Sequence, residues 1–102
     1  MSSLSTHVLD ATTGQPAAGV AVRLSRDGAE LAAASTDTDG RIGKLADGLA
    51  AGTYRLVFDT GRYFTATFYP EVVVTFTVSG PERHYHVPLL LSPFAYSTYR
   101  GS

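Results

Sequence analysis

The chain has 102 residues, of which 44% are hydrophobic and 17% are charged, a balance typical of a folded domain and not of a disordered chain. Its formal net charge of −1 offers no basic field for nucleic acid or an anionic membrane, so we expect neither as a partner. The absence of cysteine excludes disulfides, thiolate nucleophiles and cysteine-ligated zinc. We therefore expect a single domain over residues 1–102, built around one modest hydrophobic core.

The first residues show no targeting signal. Residues 1–7, MSSLSTH, have neither the basic segment nor the apolar stretch of a signal peptide. No apolar run elsewhere approaches the ~20 residues that a membrane-spanning helix needs. A cytoplasmic protein is the expectation that follows.

Apolar and polar residues alternate along three segments of the chain, which is the pattern of half-buried antiparallel strands. The segments are residues 20–25, 53–59 and 72–78, and they are rich in Val, Thr, Tyr and Phe. Glycine and proline favour tight turns, and turn sequences separate the segments. These sequences are Thr13-Gly14-Gln15-Pro16, Asp27-Gly28, Asp39-Gly40, Ala51-Gly52 and Ser79-Gly80-Pro81.

The spacing of these strands and turns predicts an all-β protein. No segment has a convincing 3.6-residue period, and only residues 60–67 are a candidate for one short helix. The stretch DTDG at residues 37–40 lacks the glutamate and the flanking helices of a calcium loop, so it predicts a turn. Seven to eight short antiparallel strands with such turns indicate a β-sandwich, in which each strand turns one face to the core and the other outward.

The strand predicted over residues 84–92 carries two histidines on one face. Side chains alternate along a strand, so His84, His86 and Pro88 are expected to point outward together. Pro88 has no backbone N–H, and we expect a bulge or an unpaired position there. The opposite face, expected in the core, consists of Tyr85, Val87, Leu89 and Leu91.

Two further strands place polar or aromatic groups on outward faces. His7 shares the outward face of its strand with Ser5. Near the end of the chain Tyr99 is expected to lie outward, whereas Phe94 and Tyr96 are expected on the core side. If the three strands are neighbours in one sheet, the groups that converge are His7, His86, Tyr99 and Ser102.

An outward sheet face is open to water unless something covers it. Uncovered strands, and outward apolar residues such as Leu9 and Leu90, favour the packing of another copy of the chain against this face. The sequence therefore predicts an oligomer.

Five segments have a family resemblance: STHVLDATTGQPAAGVAVRL, TDTDGRI, GTYRLVFDTGRYF, FYPEVVVTFTV and HYHVPLLLSPFAYSTYRGS. Together they closely resemble the transthyretin-like 5-hydroxyisourate hydrolases, from Leu4 to Ser102, and the terminal Tyr-Arg-Gly-Ser is the most specific match. The resemblance implies a transthyretin-like (prealbumin-like) sandwich that forms a homotetramer with active sites at the dimer–dimer interface. It also implies hydrolysis of 5-hydroxyisourate to 2-oxo-4-hydroxy-4-carboxy-5-ureidoimidazoline in urate degradation, with no cofactor.

The same resemblance implies roles for particular residues. The family's catalytic positions match His7, Arg41, His86 and Ser102, and its substrate contacts match His7, Arg41 and Tyr99. His7 belongs to the His-Val-Leu-Asp motif, Arg41 to the Asp-Gly-Arg turn and His86 to the Tyr-His-x-Pro-Leu-Leu segment. Tyr99 and Ser102 belong to the terminal tetrapeptide.

The chemistry suits these side chains. Adding water to an amide-type carbonyl needs an activated water, a stabilised oxyanion and a proton for the leaving nitrogen. Histidine, with an ordinary pKa of ~6.5, both accepts and donates protons near neutrality, so either His7 or His86 is expected to activate water. Ser102 is expected to position that water or relay its proton. Arg41 keeps its charge and is expected to bind and polarise the substrate, while Tyr99 shapes the pocket.

Three alternatives remain open. His84 matches the family pattern only loosely, and with His86 and His7 it would form an open zinc site, although the resembling enzymes work without a required metal. The stretch from Asp10 to Asp59 also resembles the carboxypeptidase regulatory-like modules, which are non-catalytic. A transthyretin-type carrier of a small ligand is the third alternative, although transthyretin has changes at the motif histidines and the terminal tetrapeptide.

Overall fold

In residues 2–79 and 83–102, which the computed structural model describes, nine strands and one short helix form two sheets packed face to face. The predicted β-sandwich is therefore confirmed. Part of the predicted turn Ser79-Gly80-Pro81 lies outside the described residues. The elements are β1 (Ser2–Asp10), β2 (Gln15–Pro16), β3 (Ala21–Arg26), β4 (Ala29–Ser35), β5 (Arg41–Leu49), β6 (Gly52–Phe58), α1 (Thr60–Tyr63), β7 (Val72–Val78), β8 (His84–Ser92) and β9 (Ala95–Thr98).

Strand β1 lies at the centre of the sheet that carries the histidines, which we call the histidine sheet. Strand β8 pairs with β1 along one edge, and β9 pairs with the far side of β8. The other edge of β1 is shared by β5 and the short β2. The second sheet has the order β4-β3-β6-β7. The β1–β8 pair is parallel, which the antiparallel prediction did not include.

Apolar side chains from the inner faces of both sheets form the core between them. Leu4 and Val8 of β1 meet this core from the histidine sheet, and Leu56 and Phe58 of β6 meet it from the second sheet, all with no exposed surface. A fully buried side chain of this size contributes about 1.5–3 kcal/mol relative to an exposed one. Their burial therefore fixes which face of each strand is left outside.

Strand β8 confirms the predicted alternation at most positions. The four apolar residues expected in the core are buried, while His84 is exposed and His86 is half-buried on the other face. Pro88 differs, since it is buried although it was expected to point outward. Neighbouring strands flank this small residue on both sides: it pairs with His7 of β1, and Thr98 of β9 donates a hydrogen bond to its carbonyl at 2.7 Å.

On the edge of β8 that faces β9, the predicted unpaired position at Pro88 is present, without a bulge. Strand β8 pairs with β9 from Leu89 to Ser92, and the pairing resumes only at an isolated bridge between His86 and Gly101. The register is the same on both sides of the gap. The interruption falls at Pro88 because proline has no N–H to donate to a ladder.

The expectation that Phe94 and Tyr96 face the core is wrong. Phe94 is 78% exposed and Tyr96 is 41% exposed, because β9 is the edge strand and both of its faces lie outside the core. The ring of Tyr96 instead packs edge-on against Tyr69, with centroids 5.2 Å apart.

The helix expected over residues 60–67 is shorter than predicted. Helix α1 spans Thr60–Tyr63, and the backbone at Phe64 is extended. Thr60 and Gly61 donate hydrogen bonds to the carbonyls of Tyr69 and Pro70, so the chain doubles back here and the helix does not continue. No helix in the described part of the chain is long and apolar enough to span a membrane.

The predicted turn before Arg41 is tied to the edge of β1. Asp37 accepts hydrogen bonds from the backbone N–H groups of Asp39 and Arg41, each at 2.9 Å. Gly40 has a φ of 73°, and a Cβ there would lie 2.5 Å from the carbonyl oxygen of Val8. Glycine is thus required on both counts, and its carbonyl accepts the Val8 N–H at 2.7 Å. This contact holds the start of β5, and with it Arg41, beside β1.

Candidate active site

A pocket of about 290 Å³ opens on the outward face of the histidine sheet. Its walls come from β1, β5, β8 and the last residue of the chain. These strands are adjacent, with β1 in the middle, so residues far apart in sequence meet on one surface. The pocket is lined by Ser5, Thr6, Arg41, Gly43, His84, His86 and Ser102.

The register of the sheet decides which residues meet. Parallel pairing sets His84 beside Ser3 and His86 beside Ser5. Antiparallel pairing on the other edge of β1 sets Arg41 beside His7. Side chains directly opposite each other on one face lie within contact distance, so both histidines of β8 meet serines and not solvent alone.

Two serines and two histidines form a continuous chain of polar contacts. Ser3 Oγ lies 2.6 Å from His84 Nδ1, and Ser5 Oγ lies 2.8 Å from His84 Nε2. Ser5 Oγ also lies 2.7 Å from Nδ1 of His86. All three distances are those of good hydrogen bonds. We call Ser3, His84, Ser5 and His86 the serine–histidine chain.

Burial is the main reason that the pKa of His86 lies below its ordinary value of 6.5. The charge of Arg41 lowers this pKa further, and His7 and His84 act in the same direction, while a hydrogen bond with the Ser5 backbone opposes them. The imidazolium form loses hydration in a half-buried position and is repelled by a neighbouring cation. His86 is therefore neutral at pH 7, with a lone pair on one ring nitrogen.

Three of the five predicted site residues, Arg41, His86 and Ser102, line this pocket. His7 does not, but it is the register partner of Arg41 and its charge acts on His86. Tyr99 lines a neighbouring pocket of about 210 Å³, and His86 contributes to both pockets. The predicted convergence is thus present around His86, with His7 and Tyr99 at its margins.

Sequence reasoning missed Ser5 and His84 as members of the site. The alternation along β1 predicts that Ser5 and His7 share one face, and this was the only signal available for Ser5. Alternation along one strand does not show which residue of another strand lies opposite. The contact of Ser5 with both histidines was therefore not predictable. His84 matches the family pattern only loosely, so the resemblance does not select it. Thr6 also lines the pocket, but its hydroxyl is buried and donates to the Val87 carbonyl at 2.6 Å, which is a structural contact between β1 and β8.

The end of the chain is attached to β8 beside the ring of His86. The Gly101 N–H donates to the His86 carbonyl at 2.8 Å, and the Arg100 guanidinium lies 4.8 Å from the centroid of the Tyr85 ring. A Cβ at Gly101 would lie 2.5 Å from Cδ2 of His86, so only glycine allows this approach. The attachment brings the next residue, Ser102, to the pocket.

Within residues 2–79 and 83–102, no group of three or more His, Cys, Asp or Glu side chains is placed to hold a metal ion. His84 and His86 each hold Ser5 through a ring nitrogen, so these nitrogens are already engaged. The expectation of no cofactor stays a prediction.

Comparison with known proteins decides the family. Residues 4–101 match the model of the HIUase/Transthyretin family. The chain belongs to this family. A 5-hydroxyisourate hydrolase of Caulobacter vibrioides is 50% identical over 100% of both chains. The structure of Klebsiella pneumoniae 5-hydroxyisourate hydrolase is 43% identical with a TM-score of 0.92, covering 100% of this chain and 94% of that one. Transthyretin from Sparus aurata is 35% identical with a TM-score of 0.88, covering 96% and 95%.

The fold of the HIUase/Transthyretin family does not by itself decide between hydrolysis and transport. Structures of both a hydrolase and a transthyretin match this chain closely. The family match also extends well beyond Asp10 to Asp59, the stretch that resembles regulatory-like modules. The side chains in the pocket therefore carry the functional argument.

We predict that NMR titration of His86 gives a midpoint below 6.5, because burial and Arg41 both disfavour its protonated form. In an Arg41→Gln variant the midpoint should rise but remain below 6.5, since burial, the larger cause, is unchanged. Arg23→Gln, in the second sheet, is the matched control and should not move it. A midpoint that Arg41→Gln leaves in place would contradict this account.

The lowered pKa also sets the sign of the effect on stability. Just below pH 6.5 the unfolded chain binds a proton at His86 that the folded chain does not. The contribution of His86 to the free energy of unfolding is thus complete above about 6.5 and is lost as the pH falls through the folded-state pKa.

Proposed function

We propose that this chain hydrolyses 5-hydroxyisourate in urate degradation, opening its ring to give 2-oxo-4-hydroxy-4-carboxy-5-ureidoimidazoline. The observation that carries the proposal is one pocket holding the neutral imidazole of His86, the cation of Arg41 and the C-terminal Ser102. Relatives that match the full length of the chain are 5-hydroxyisourate hydrolases. The domain that performs the reaction spans residues 1–102.

The reaction needs three things from the protein, and the pocket has a group for each. A neutral histidine takes a proton from water as the water oxygen attacks the carbonyl carbon, and His86 or His7 performs this step. The same imidazole then returns the proton to the leaving nitrogen. Arg41 balances the negative charge that develops on the substrate oxygen.

The remaining residues hold the substrate and the water. Ser102 lines the pocket, where its hydroxyl positions the attacking water or relays its proton. Tyr99 shapes the neighbouring wall, which it shares with His86. His7 is the register partner of Arg41, which places it beside the residue that binds the substrate, and it is the further substrate contact that the family resemblance implies.

A small-ligand carrier is the second candidate, and the structural likeness to transthyretin from Sparus aurata favours it. A carrier needs no neutral base, since it only has to bind. A pocket lined by two histidines, an arginine and two serines suits a polar reaction better than an apolar ligand.

We predict that the chain accelerates the ultraviolet absorbance decay of 5-hydroxyisourate freshly made with urate oxidase. His86→Ala should lower kcat by about 10²- to 10⁴-fold, the usual value of a positioned acid or base. Glu30→Ala, at an exposed position of the second sheet, is the control and should keep full activity. Circular dichroism should show that both variants are folded.

The assay separates the candidates. Decay no faster than the spontaneous rate would rule out the hydrolase and leave the carrier or a non-catalytic module. Decay at the normal rate with His86→Ala would show that this residue has no part in the chemistry.

Ser102 provides a second test, because it lies at the pocket and not in the core. Deleting it should lower kcat/KM by about 10²-fold, because even a displacement of ~1 Å within a catalytic site costs on that order. The midpoint of thermal unfolding should stay the same. Ser102→Ala separates the hydroxyl from the position of the terminus. Equal loss of activity and stability would mean that the end of the chain is structural.

We also infer that the active unit is a homotetramer with its sites at the dimer–dimer interface. The inference is supported by the exposure of aromatic residues on the edge of the histidine sheet, where Phe94 is 78% and Tyr99 is 60% exposed. Light scattering should give four times the chain mass of 10.8 kDa. A monomer at micromolar concentration would contradict it.

The cytoplasmic location also stays a prediction, and it fits a chain without cysteine.

A further inference from the structure

The serine–histidine chain constrains where the proton of His86 sits. The Ser5 hydroxyl contacts a ring nitrogen of both histidines, but it carries one proton. If Ser5 donates to His86 Nδ1, then neutral His86 carries its own proton on Nε2. If Ser5 donates to His84 Nε2, then His86 donates from Nδ1 and keeps a lone pair on Nε2. In the first direction His86 has an N–H at Nε2, and in the second it has a lone pair there.

One observation favours the second direction. Arg41 lines the same pocket as His86, and a guanidinium favours a lone pair over an N–H on the ring nitrogen that Ser5 does not hold. Ser5 Oγ lies against Nδ1, so the ring nitrogen that Ser5 does not hold is Nε2. In this direction His84 donates from Nδ1 to Ser3, which is the exposed end of the serine–histidine chain.

We propose that Ser5 is a positioning residue that fixes His86 as the Nδ1–H tautomer, so that Nε2 is the general base, and that His84 orients the Ser5 hydroxyl. This inference rests on the proposed hydrolysis and decides between the two candidate histidines. Water gives a proton to Nε2 as its oxygen bonds to the carbonyl carbon. The imidazolium stays hydrogen-bonded through Nδ1–H to Ser5, and Nε2 returns the proton to nitrogen as the ring C–N bond breaks.

The tautomer can be observed without any substrate. In protein labelled with ¹⁵N, long-range ¹H–¹⁵N spectra distinguish a protonated ring nitrogen from an unprotonated one, and the chain has only three histidines to assign. We expect His86 to be protonated on Nδ1 at neutral pH. Ser5→Ala should move the proton to Nε2, and Ser5→Thr, which keeps a hydroxyl, should restore Nδ1–H. Ser25→Ala in β3 of the second sheet is the control for loss of a hydroxyl elsewhere.

The value of kcat should change with the tautomer of His86. Ser5→Ala should lower kcat by about 10²-fold or more with little change in KM, since a wrong tautomer costs about 10⁴-fold in a Ser-His-Asp triad. Ser5→Thr should recover most of the loss. His84→Ala alters an exposed residue and leaves the buried Ser5 in place, so it tests the same arrangement even if Ser5→Ala fails to fold. It should produce the same tautomer shift and a fall in kcat.

The two proposals fail in different ways. If the unmodified chain does not hydrolyse 5-hydroxyisourate, the proposed function is wrong whatever the tautomer is. If the chain is active but His86 carries its proton on Nε2, the role of Ser5 is wrong. It is equally wrong if Ser5→Ala and His84→Ala both leave kcat unchanged. A rise in KM alone would make Ser5 a substrate contact and would also overturn it.

Discussion

The in-register parallel pairing of β1 with β8 is the constraint on which the rest of the site depends. It sets Ser5 beside His86, and the same two strands bury Leu4 and Leu89 on their other face. A slip of one residue would turn the histidines toward the core and the leucines toward water, so hydrophobic burial fixes the register. The polar arrangement on the outside is therefore held in place by apolar contacts on the inside.

Local alternation predicted the fold class, and it predicted the faces of β8, because side-chain direction along a strand is a local property. It failed at Phe94 and Tyr96, because alternation does not show whether a second sheet covers the face in question. It also could not reveal the parallel pair. That pairing joins the two ends of the chain, and no short stretch of sequence encodes the crossover between them.

The candidate site was predictable in its residue types but not in its connections. Family resemblance selected Arg41, His86 and Ser102, and these residues do share a pocket. Their environment could not be predicted in the same way. The half-burial of His86, the proximity of Arg41 and the contact with Ser5 all arise from strand register. An ordinary serine thereby acquires a role that its position in the sequence does not suggest.

Pro88 affects how easily the C-terminal wall of the pocket opens. The ladder between β8 and the end of the chain is broken at this residue. Beyond the break, residues 99–102 are held by one backbone bridge at His86 and by the contact of Arg100 with the Tyr85 ring. A segment with few backbone hydrogen bonds opens at a lower free energy than the sandwich behind it. The last wall of the pocket is therefore expected to open before the core strands separate. The chain can lose its assembled site while every core strand stays paired, so a folded molecule is not always a competent one.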